Sequence, residues 1–299
     1  MTLTATETSL PAATPPARAP RRVRRVRRLV WHVACGVLLV VLLYPVVWLV
    51  LSSFKPAEEI LSSVRLWPER FILGNYAEVF GGLAGISVWR FFANSMMVSI
   101  GAVIGTVVSC SLAAYAFAWL RFRLRSPLFA FMIATIMLPI HVLLIPQYTI
   151  FHRLDMIDTF WPLILPKLLA TDAFFVFLMV QFMRGLPSEL GDAARIDGCG
   201  PFRTFGYIVL PLARPALVTT AIFTFIWSWN DFFSQLIYLN TPRNYTLPLA
   251  LRLFIDQTSE TSYGAMMAMS VLSLLPIALF FFAFQRLLVQ GVATTGLTG

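Results

Sequence analysis

The chain has 299 residues, of which 58% are hydrophobic and only 12% are charged, and its mean hydropathy is +0.77. Soluble domains are about 45–50% apolar and about 25% charged, so this composition excludes a single water-solvated core and indicates an integral membrane protein. The net charge of +9 favours nucleic-acid binding in a soluble protein, but in a membrane protein such an excess of Lys and Arg is typical of cytoplasmic loops.

The N-terminal segment, residues 1–28, is rich in Pro, Ala and Thr and ends in a run of seven arginines. It lacks the large apolar side chains that a packed core needs, so we predict a disordered tail. The arginine run favours a basic cytoplasmic anchor beside the first span over a nucleic-acid site. The apolar stretch that follows is too long for a secretory signal peptide, and no small-residue cleavage site follows it.

Six stretches of the chain are long enough to cross a bilayer, which needs about 20 apolar residues. We place them at 29–51, 94–120, 128–150, 161–183, 216–239 and 265–289. Strands of a membrane β-barrel are about half this length and alternate polar with apolar residues. These stretches do not alternate, so we predict an all-α membrane domain with six transmembrane helices.

The distribution of Lys and Arg between the loops predicts the orientation of the chain. With the N-terminus in the cytoplasm, fifteen of these residues lie in cytoplasmic segments, seven in outer loops and one, Lys167, within a span. This bias places both termini and the loop 184–215 in the cytoplasm. It leaves the large loops 52–93 and 240–264 outside.

The cytoplasmic residues 187–215 carry the signals of two short helices at the membrane surface. Ser188 is a suitable N-cap, and Glu189 and Asp192 suit the positive first turn of a helix. Gly198 is placed to end that helix, where the chain needs the positive φ that glycine accepts. The residues that share one face of this helix are Leu190, Ala193, Ala194 and Asp197.

The same loop resembles the signature of the membrane subunits of bacterial binding-protein-dependent ABC importers. That signature reads Glu-Ala-Ala, three residues, Gly, nine residues and Ile-x-Leu-Pro. The matching residues are Asp192, Ala193, Ala194, Gly198, Ile208, Leu210 and Pro211. Every spacing fits, and the one departure is Asp192, which keeps the negative charge of Glu on a shorter side chain.

Further residues are similar to the maltose-type, carbohydrate-uptake branch of this family. They are Leu138-Pro139, Pro146, Asp158-Thr159, Trp229-Asn230-Asp231, Thr246-Leu247-Pro248-Leu249, Gln285-Arg286 and Gln290-Gly291. The resemblance covers roughly residues 29–299. The C-terminal end departs from the branch because it lacks a lysine near the terminus.

The resemblance implies a multi-pass subunit of the bacterial inner membrane that is not an enzyme and has the fold of a type I ABC importer permease. Its partners would be a second, homologous permease subunit in a heterodimer, two ABC ATPase subunits and an extracytoplasmic solute-binding protein. The solute would be a disaccharide, an oligosaccharide or a related polyol. The sequence has no Gly-x4-Gly-Lys-Ser/Thr phosphate loop, so we expect no cofactor on this chain and ATP hydrolysis by the partner subunits.

In the resembled family, the signature loop supplies a coupling helix that docks in a cleft of the ATPase. The residues to which the resemblance assigns this role are Glu189, Asp192, Ala193, Ala194, Gly198, Ile208, Leu210 and Pro211.

Three ionisable residues lie within the predicted spans, Lys167 and Asp172 in the fourth and Asp231 in the fifth. A charge near the middle of a bilayer costs roughly 2.5–3.5 kcal/mol on insertion scales, so such residues usually face a cavity or a partner. Together with Trp229 and Asn230, they are our candidate residues of a translocation path. The alternative is packing, in which Asp231 caps or pairs locally and Trp227 and Trp229 are ordinary interface aromatics.

The last outer loop, 240–264, carries polar residues able to compete for sugar hydroxyls, among them Arg243, Asn244 and Gln257. In the maltose-type branch, a corresponding loop reaches into the binding protein, which implies such a contact here. The alternative is a simple connector.

Two other functions stay open at this point, an ABC permease for a non-sugar solute and a secondary transporter without an ATPase. The lack of a clear internal repeat counts against the secondary transporter. The three cysteines have no metal-ligand spacing and the three histidines are scattered, so we expect no metal site.

Overall fold

The computed structural model describes residues 21–83, 85–256 and 263–295. Residues 1–20 of the predicted disordered tail, and Gln257, therefore lie outside the described residues. The last part of that predicted tail, residues 21–28, is helical and forms the start of the first helix, which corrects the predicted boundary of the tail.

The described residues are almost entirely helical. The first half of the chain contains α1 (Arg21–Ser52), α2 (Ala57–Ser62), α3 (Gly74–Gly81), α4 (Val88–Trp119), α5 (Arg125–Ile136), α6 (Ile140–Arg153), α7 (Trp161–Leu168) and α8 (Ala173–Arg184). The second half contains α9 (Glu189–Ile196), α10 (Pro201–Thr204), a π-helical turn (Phe205–Val209), α11 (Leu210–Leu212), α12 (Arg214–Trp229), α13 (Phe233–Tyr238), a 3-10 turn (Pro242–Asn244), α14 (Leu247–Asp256) and α15 (Tyr263–Thr295). Within the described ranges, extended pairing is limited to one isolated bridge between Leu83 and Ile86. The predicted all-α class is confirmed.

Within the part of the chain that the structure describes, four helical segments are long and apolar enough to cross a membrane, and the number rises to six if two bent pairs of helices each count as one span. The four segments are Arg27–Ser52, Val88–Trp119, Trp161–Arg184 and Tyr263–Gln285. The bent pairs are Arg125–Ile136 with His141–Arg153, and Pro201–Leu212 with Arg214–Trp229. Each of the six predicted stretches overlaps one of these spans.

The chain divides into two compact units, Met1–Trp48 and Leu49–Gly299. The described part of the first unit is α1 up to Trp48. Its apolar side chains are exposed, Leu38 by 58% and Leu42 by 64%. The length of this apolar helix is that of a membrane span.

The third predicted span, 128–150, is not one straight helix. α5 ends at Ile136 and α6 begins at Ile140, with a bend of 104° between the two helices. Pro139 explains the break, because proline has no N–H to donate and disfavours the helical conformation at the residue before it. The backbone of Pro139 is itself extended, with φ −61° and ψ 126°.

The fourth and fifth predicted spans are also interrupted. Between α7 and α8 the chain leaves the helical conformation at residues 169–172, and Ala170 has a φ of +55°. The fifth predicted span, 216–239, stops at Trp229 and resumes as α13 at Phe233. Non-helical backbone at membrane depth is tolerated where it is buried in protein or lines a cavity. Leu169 and Asn230 in the two interruptions are exposed, so we expect the interruptions to line a cavity.

α4 is the central helix of the second unit and packs against α7, α8 and α12. The middle of its buried side carries small and short polar residues, which let helix backbones approach closely in a membrane. They include Ser95, Ser99, Ala102, Gly105 and Thr106. At Gly105, an added Cβ would lie 3.2 Å from both the Leu168 nitrogen and the Lys167 carbonyl carbon.

Replacement of Gly105 by leucine is expected to separate α4 from α7 and to destabilise the protein by about 1–3 kcal/mol, because the obstructing atoms belong to backbone and cannot rotate away. The measurement is the midpoint of thermal unfolding in detergent. Val108→Leu is the matched control, because Val108 lies on the same helix and is 51% exposed. Equal midpoints for the two variants would contradict the close approach of α4 and α7.

Buried polar contacts order the loop 52–93, which we predicted to lie outside. Lys55 is fully buried, donates a hydrogen bond to the Arg65 carbonyl oxygen and lies 3.8 Å from the Glu59 carboxylate. The Asn75 amide donates to the carbonyl oxygens of Ser53 at 2.8 Å and of Lys55 at 2.9 Å. Since buried polar groups need such partners, this loop is a folded element of the second unit.

Candidate functional sites

The helix α9 ends in a Schellman motif at the position predicted from the sequence. The Gly198 N–H donates to the Arg195 carbonyl at 3.1 Å, and the Cys199 N–H donates to the Ala194 carbonyl at 2.8 Å. The motif requires a residue in the left-handed region at its turn, and Gly198 has a φ of +73°. The glycine of the signature is therefore required by the backbone of this turn.

Ser188 precedes α9 but does not cap it with its side chain. Its backbone is helical, with φ −66° and ψ −26°, and its hydroxyl donates or accepts no capping bond within the described chain. The Ser188 carbonyl instead accepts the Gly191 N–H at 2.9 Å. The predicted side-chain cap is wrong, because an N-cap residue caps from a non-helical conformation.

The faces of α9 differ from the predicted arrangement. Ala194 is 2% exposed and Leu190 is half-buried, so this pair, one turn apart, packs against the rest of the second unit. Ala193 and Asp197, which we predicted to share that face, are exposed. The exposed strip of the helix contains Glu189, Asp192, Ala193, Ile196 and Asp197.

The second half of the signature is largely internal packing. Val209 is fully buried, Ile208 and Leu210 are half-buried, and Pro211 is exposed at the start of α11. Val209, between the two signature residues, packs in a buried cluster with Ala213, and α12 follows at a bend of 76°.

Large apolar side chains around this loop are almost fully exposed. Ile196 and Phe202 are each 86% exposed, and Tyr207 is 82% exposed. Large exposed apolar side chains that occur together mark an interaction surface more often than isolated ones do. The sequence did not predict the exposure of Phe202 and Tyr207, because residue spacing does not indicate the π-helical turn that follows α10.

Two aromatic residues at the end of α4 connect the loop to the membrane helices. The Tyr115 hydroxyl donates to the Pro201 carbonyl at 3.0 Å. The Trp119 indole N–H donates to the Met183 carbonyl at 3.0 Å, and the Trp119 ring lies against Gly191 of α9. Because of these contacts, a displacement of α9 or α10 changes the packing around the end of α4.

Most of the predicted path residues lie around two neighbouring cavities of about 440 Å³ and 300 Å³ in the second unit. Lys167, Asp172 and Asp231 lie in the walls of both cavities. The two interrupted spans thus bring Asp231 close to Lys167 and Asp172, from which it is far in the sequence.

The Lys167 ammonium is paired with Asp172 across the break between α7 and α8. Its Nζ lies 2.9 Å from one carboxylate oxygen and 3.0 Å from the other, and the two side chains are 28% and 20% exposed. From α4, the Thr106 hydroxyl donates to the Asp172 carboxylate at 3.2 Å, and the Ser109 hydroxyl donates to the Lys167 carbonyl at 2.7 Å. The ion pair therefore links the end of α7 to the residue before α8, and its hydrogen bonds hold this interruption against α4.

Asp231 and Asn230 occupy the break between α12 and α13. One Asp231 carboxylate oxygen accepts the Ser234 N–H at 3.0 Å, so the local cap considered as an alternative is present, although Asp231 also lines both cavities. The Asn230 amide donates to the Ile226 carbonyl at 2.8 Å, and the residue lines the larger cavity.

Trp229 does not line either cavity, which corrects its assignment to the path. It is 1% exposed and its indole N–H donates to the Ser273 carbonyl of α15 at 3.1 Å, so it joins α12 to α15. Trp227, two residues earlier, lies on the opposite side of the helix and lines both cavities.

Asp158 joins the start of the loop 240–264, the predicted last outer loop, to the segment before the fourth span through hydrogen bonds. Its Oδ1 accepts the N–H groups of Asn240 and Thr241, each at 2.9 Å, and the Thr241 hydroxyl donates to its Oδ2. The Asn244 amide donates to the Asp158 carbonyl at 2.8 Å. Burial favours the neutral carboxyl, but the hydrogen bonds from Thr241, Asn240 and Asn244 outweigh it and hold the pKa of Asp158 below its ordinary value.

The candidate binding-protein contacts separate into different environments. Arg243 is exposed, whereas the side chain of Asn244 is half-buried and is used within the loop. The following residues are anchored inward, since the Leu247 N–H donates to the Ser95 hydroxyl at 2.7 Å. The described part of the loop therefore holds the exposed Arg243 on an anchored backbone.

Replacement of Asp158 by glycine is expected to loosen the loop, because glycine accepts the φ of +60° at this position but removes the acceptor of three hydrogen bonds. Deuterium exchange of peptides covering 238–246 should accelerate. Asp155→Gly is the matched control, because Asp155 also has a positive φ, of +52°, and lies in the same connection between α6 and α7 as Asp158.

The protection of this loop is also expected to depend on pH. Because the pKa of Asp158 is lower in the folded chain, its contribution is fully present above the ordinary Asp pKa of about 3.9 and is lost as the pH falls through the folded value. After correction for intrinsic exchange, the difference between the parent and Asp158→Gly should shrink below about pH 4. A constant difference would contradict this role of the carboxylate.

Comparison with solved structures defines the class of fold. A chain of the crystal structure of a bacterial ABC transporter involved in the import of the acidic polysaccharide alginate matches with a TM-score of 0.77, covering 90% of this chain and 99% of that chain at 20% identity. A chain of the alginate transporter in complex with alginate pentasaccharide-bound periplasmic protein matches with a TM-score of 0.62 at 12% identity, covering 90% of this chain and 97% of that chain. The fold is that of a type I ABC importer permease, as the sequence predicted.

Comparison with known sequences gives the family. The family described as "Binding-protein-dependent transport system inner membrane component" matches residues 105–294. The arabinooligosaccharides transport system permease protein AraQ of Halalkalibacterium halodurans is 33% identical over 259 residues, which is 86% of this chain and 91% of that protein. The sn-glycerol-3-phosphate transport system permease protein UgpE of Rhizobium meliloti is 31% identical over 278 residues, which is 91% of this chain and 98% of that protein.

The chain belongs to the family of binding-protein-dependent transport system inner membrane components. The family predicted from the signature loop is confirmed, and the chain is a multi-pass permease of an ABC transporter.

Proposed function

We propose that this permease carries a sugar, an oligosaccharide or a related polyol into the cytoplasm as one membrane subunit of an ATP-driven importer. The observation that carries the proposal is similarity over at least 86% of the chain to permeases named for arabinooligosaccharides and for sn-glycerol-3-phosphate. The cavity walls support it, because Trp227, Asn230 and Asp231 combine an aromatic face with hydrogen-bonding groups, a combination suited to polyhydroxylated solutes.

The proposed complex contains a second, homologous permease in a heterodimer, two ABC ATPase subunits and an extracytoplasmic binding protein. The sequence has no phosphate loop, so ATP is hydrolysed by the partner ATPases, and this chain is neither an enzyme nor a cofactor-binding subunit. The exposed Ile196, Phe202 and Tyr207 support an ATPase docking surface around α9. The exposed Arg243 on its anchored loop supports contact with the binding protein.

In this proposal, α4 carries motion between the two sites. Its end contacts the signature loop through Tyr115 and Trp119, and its middle contacts the ion-paired break through Thr106 and Ser109. ATPase closure displaces α9, and α4 transmits the displacement to the cavity walls. The result is a two-state equilibrium that both ATP and the loaded binding protein bias.

The proposed orientation has both termini and α9 in the cytoplasm. Single cysteines at the exposed positions Asp197 and Arg243, in a chain without its three natural cysteines, are expected to differ in reaction with an impermeant thiol reagent on intact cells. The residue at 243 should be labelled, and the residue at 197 only after permeabilisation. The reverse pattern would invert the topology.

Uptake into proteoliposomes tests the function. The complex of this chain with its co-encoded partners should accumulate a labelled oligosaccharide only with ATP inside and binding protein outside. Labelled sn-glycerol-3-phosphate and an amino acid are the comparison solutes. Transport of the amino acid alone would favour the non-sugar permease, and uptake driven by an ion gradient without ATPase subunits would favour a secondary transporter.

A further inference from the structure

A second kind of cavity lies at the opposite end of the same helices, where the signature loop meets the ends of the spans. Its volume is about 360 Å³, and its wall comes from the end of α4, the start of α5, the end of α8 and one side of α9. Its charged lining residues are Arg121, Arg125, Arg184, Arg195 and Asp192. We call it the arginine pocket.

Four arginines and one aspartate line the arginine pocket. The carboxylate of Asp192 lies 3.4 Å from Arg195, but both side chains are more than 70% exposed, and such a surface pair contributes little. Arg125 donates to the Ala118 carbonyl at 3.2 Å, and Arg184 lies 4.7 Å from the centre of the Phe129 ring. These contacts orient the guanidinium groups without neutralising them, so the pocket attracts an anion.

The position of the pocket indicates the source of that anion. The apolar helices α4 and α8 end beside it and α5 begins there, so the pocket lies at the level where membrane spans meet water. Apolar side chains on the adjoining segment are exposed, Phe122 by 40%, Leu124 by 58% and Leu128 by 46%. A small soluble anion makes no favourable contact with these apolar side chains, whereas the acyl chains of a lipid pack against them.

We infer that the arginine pocket binds the phosphodiester headgroup of an anionic lipid. Guanidinium groups match phosphate oxygens through paired hydrogen bonds, and basic pockets between membrane helices hold anionic headgroups. Neither the family description nor the names of the relatives assign a ligand to this place.

A bound headgroup here contacts the signature loop. Gly191, Asp192 and Arg195 of α9 form part of the pocket wall, whereas Ala193, Ile196 and Asp197 point away from it and stay exposed. A lipid in the pocket therefore braces α9 from the membrane side and leaves the other side open to a partner. The composition of the bilayer would then affect how firmly α9 is held.

Native mass spectrometry of the full-length chain, purified from nanodiscs with equal amounts of phosphatidylglycerol and phosphatidylcholine, tests the inference. The parent should retain phosphatidylglycerol in preference to phosphatidylcholine. Arg121→Gln and Arg125→Gln should each reduce its retention about fivefold, as expected for one basic residue near a lipid surface. Arg123→Gln is the matched control, because Arg123 is exposed in the same loop but is not part of the pocket wall.

Thermal unfolding of each variant in detergent checks that the fold is intact, and Arg121 is exposed, so its replacement leaves no buried gap. An equal loss of phosphatidylglycerol in Arg121→Gln and Arg123→Gln would overturn the inference, as would equal retention of the two lipids by the parent. Displacement of phosphatidylglycerol by millimolar inorganic phosphate would show that the pocket binds a soluble anion. This result would overturn the inference of a lipid headgroup. This outcome is independent of the transported solute.

Discussion

Gly198→Asp is expected to abolish uptake while the amount of membrane-inserted protein stays normal. Gly198 has a φ of +73° at the end of α9, and a residue with a Cβ is strained there by about 1–2 kcal/mol. Apart from Gly198 and its two chain neighbours, no described atom lies within 4 Å of an added Cβ, and Gly198 is exposed, so the new carboxylate lies at the surface. On the proposed docking surface it meets the ATPase, and the measurements are ATPase co-purification and uptake.

Two further variants separate strain from charge. Gly198→Asn has almost the shape of the Asp variant without its charge, and Asn adopts positive φ more readily than most residues. Gly198→Ala introduces the strain with the smallest side chain. We expect uptake to be retained best by the Asn variant and lost by the Asp variant. Parental uptake by Gly198→Asp would remove α9 from the coupling mechanism.

Loss of one partner of the Lys167–Asp172 pair is expected to be the most destabilising change in the cavity. Lys167→Met leaves the Asp172 carboxylate in the spans with only the Thr106 hydroxyl as a partner among the described contacts. Breaking a buried pair typically costs about 3–5 kcal/mol, and the partial exposure of this one reduces the cost to about 2–3 kcal/mol. The midpoint of thermal unfolding in detergent is the measurement.

The double variant Lys167→Met/Asp172→Asn is expected to recover most of that loss, because it removes both charges together. A double-mutant cycle gives the coupling between the two side chains. If the double variant is stable but does not transport, the pair also contributes to the path. A double variant as unstable as the sum of both single variants would contradict the pair as the closure of the α7–α8 break.

Residue spacing was sufficient to predict the features that depend on local sequence. Long apolar stretches gave the spans, and the signature from Asp192 to Pro211 gave the family and the place of α9. The turn at Gly198 followed from the helix stop signal, since the demand for positive φ is local.

Features that depend on tertiary geometry could not be predicted from the sequence. Spacing alone did not distinguish Trp229, which packs against α15, from Trp227, which faces the cavities. Pro139 was noticed as a family residue, but the size of the bend it produces depends on the packing around it. Asn244 is polar in a loop, yet its amide is used by Asp158, which lies far away in the chain.

The arginine pocket shows the same limit. All four of its arginines were counted separately, in the loops 121–127 and 184–215, as part of the Lys and Arg bias that predicts the orientation. Their convergence with Trp119 and Gly191 requires the ends of α4, α5 and α8 to meet α9. Net charge therefore predicted the side of the membrane but not a binding site.

The most direct test of the central claim is ATP hydrolysis by the purified complex in lipid, with and without solute-loaded binding protein. With this permease present, loaded binding protein should stimulate hydrolysis, and the stimulation should disappear in the Gly198→Asp complex although the same binding protein is added. Equal hydrolysis with and without loaded binding protein in the parental complex would contradict the claim that this chain couples solute delivery to ATP.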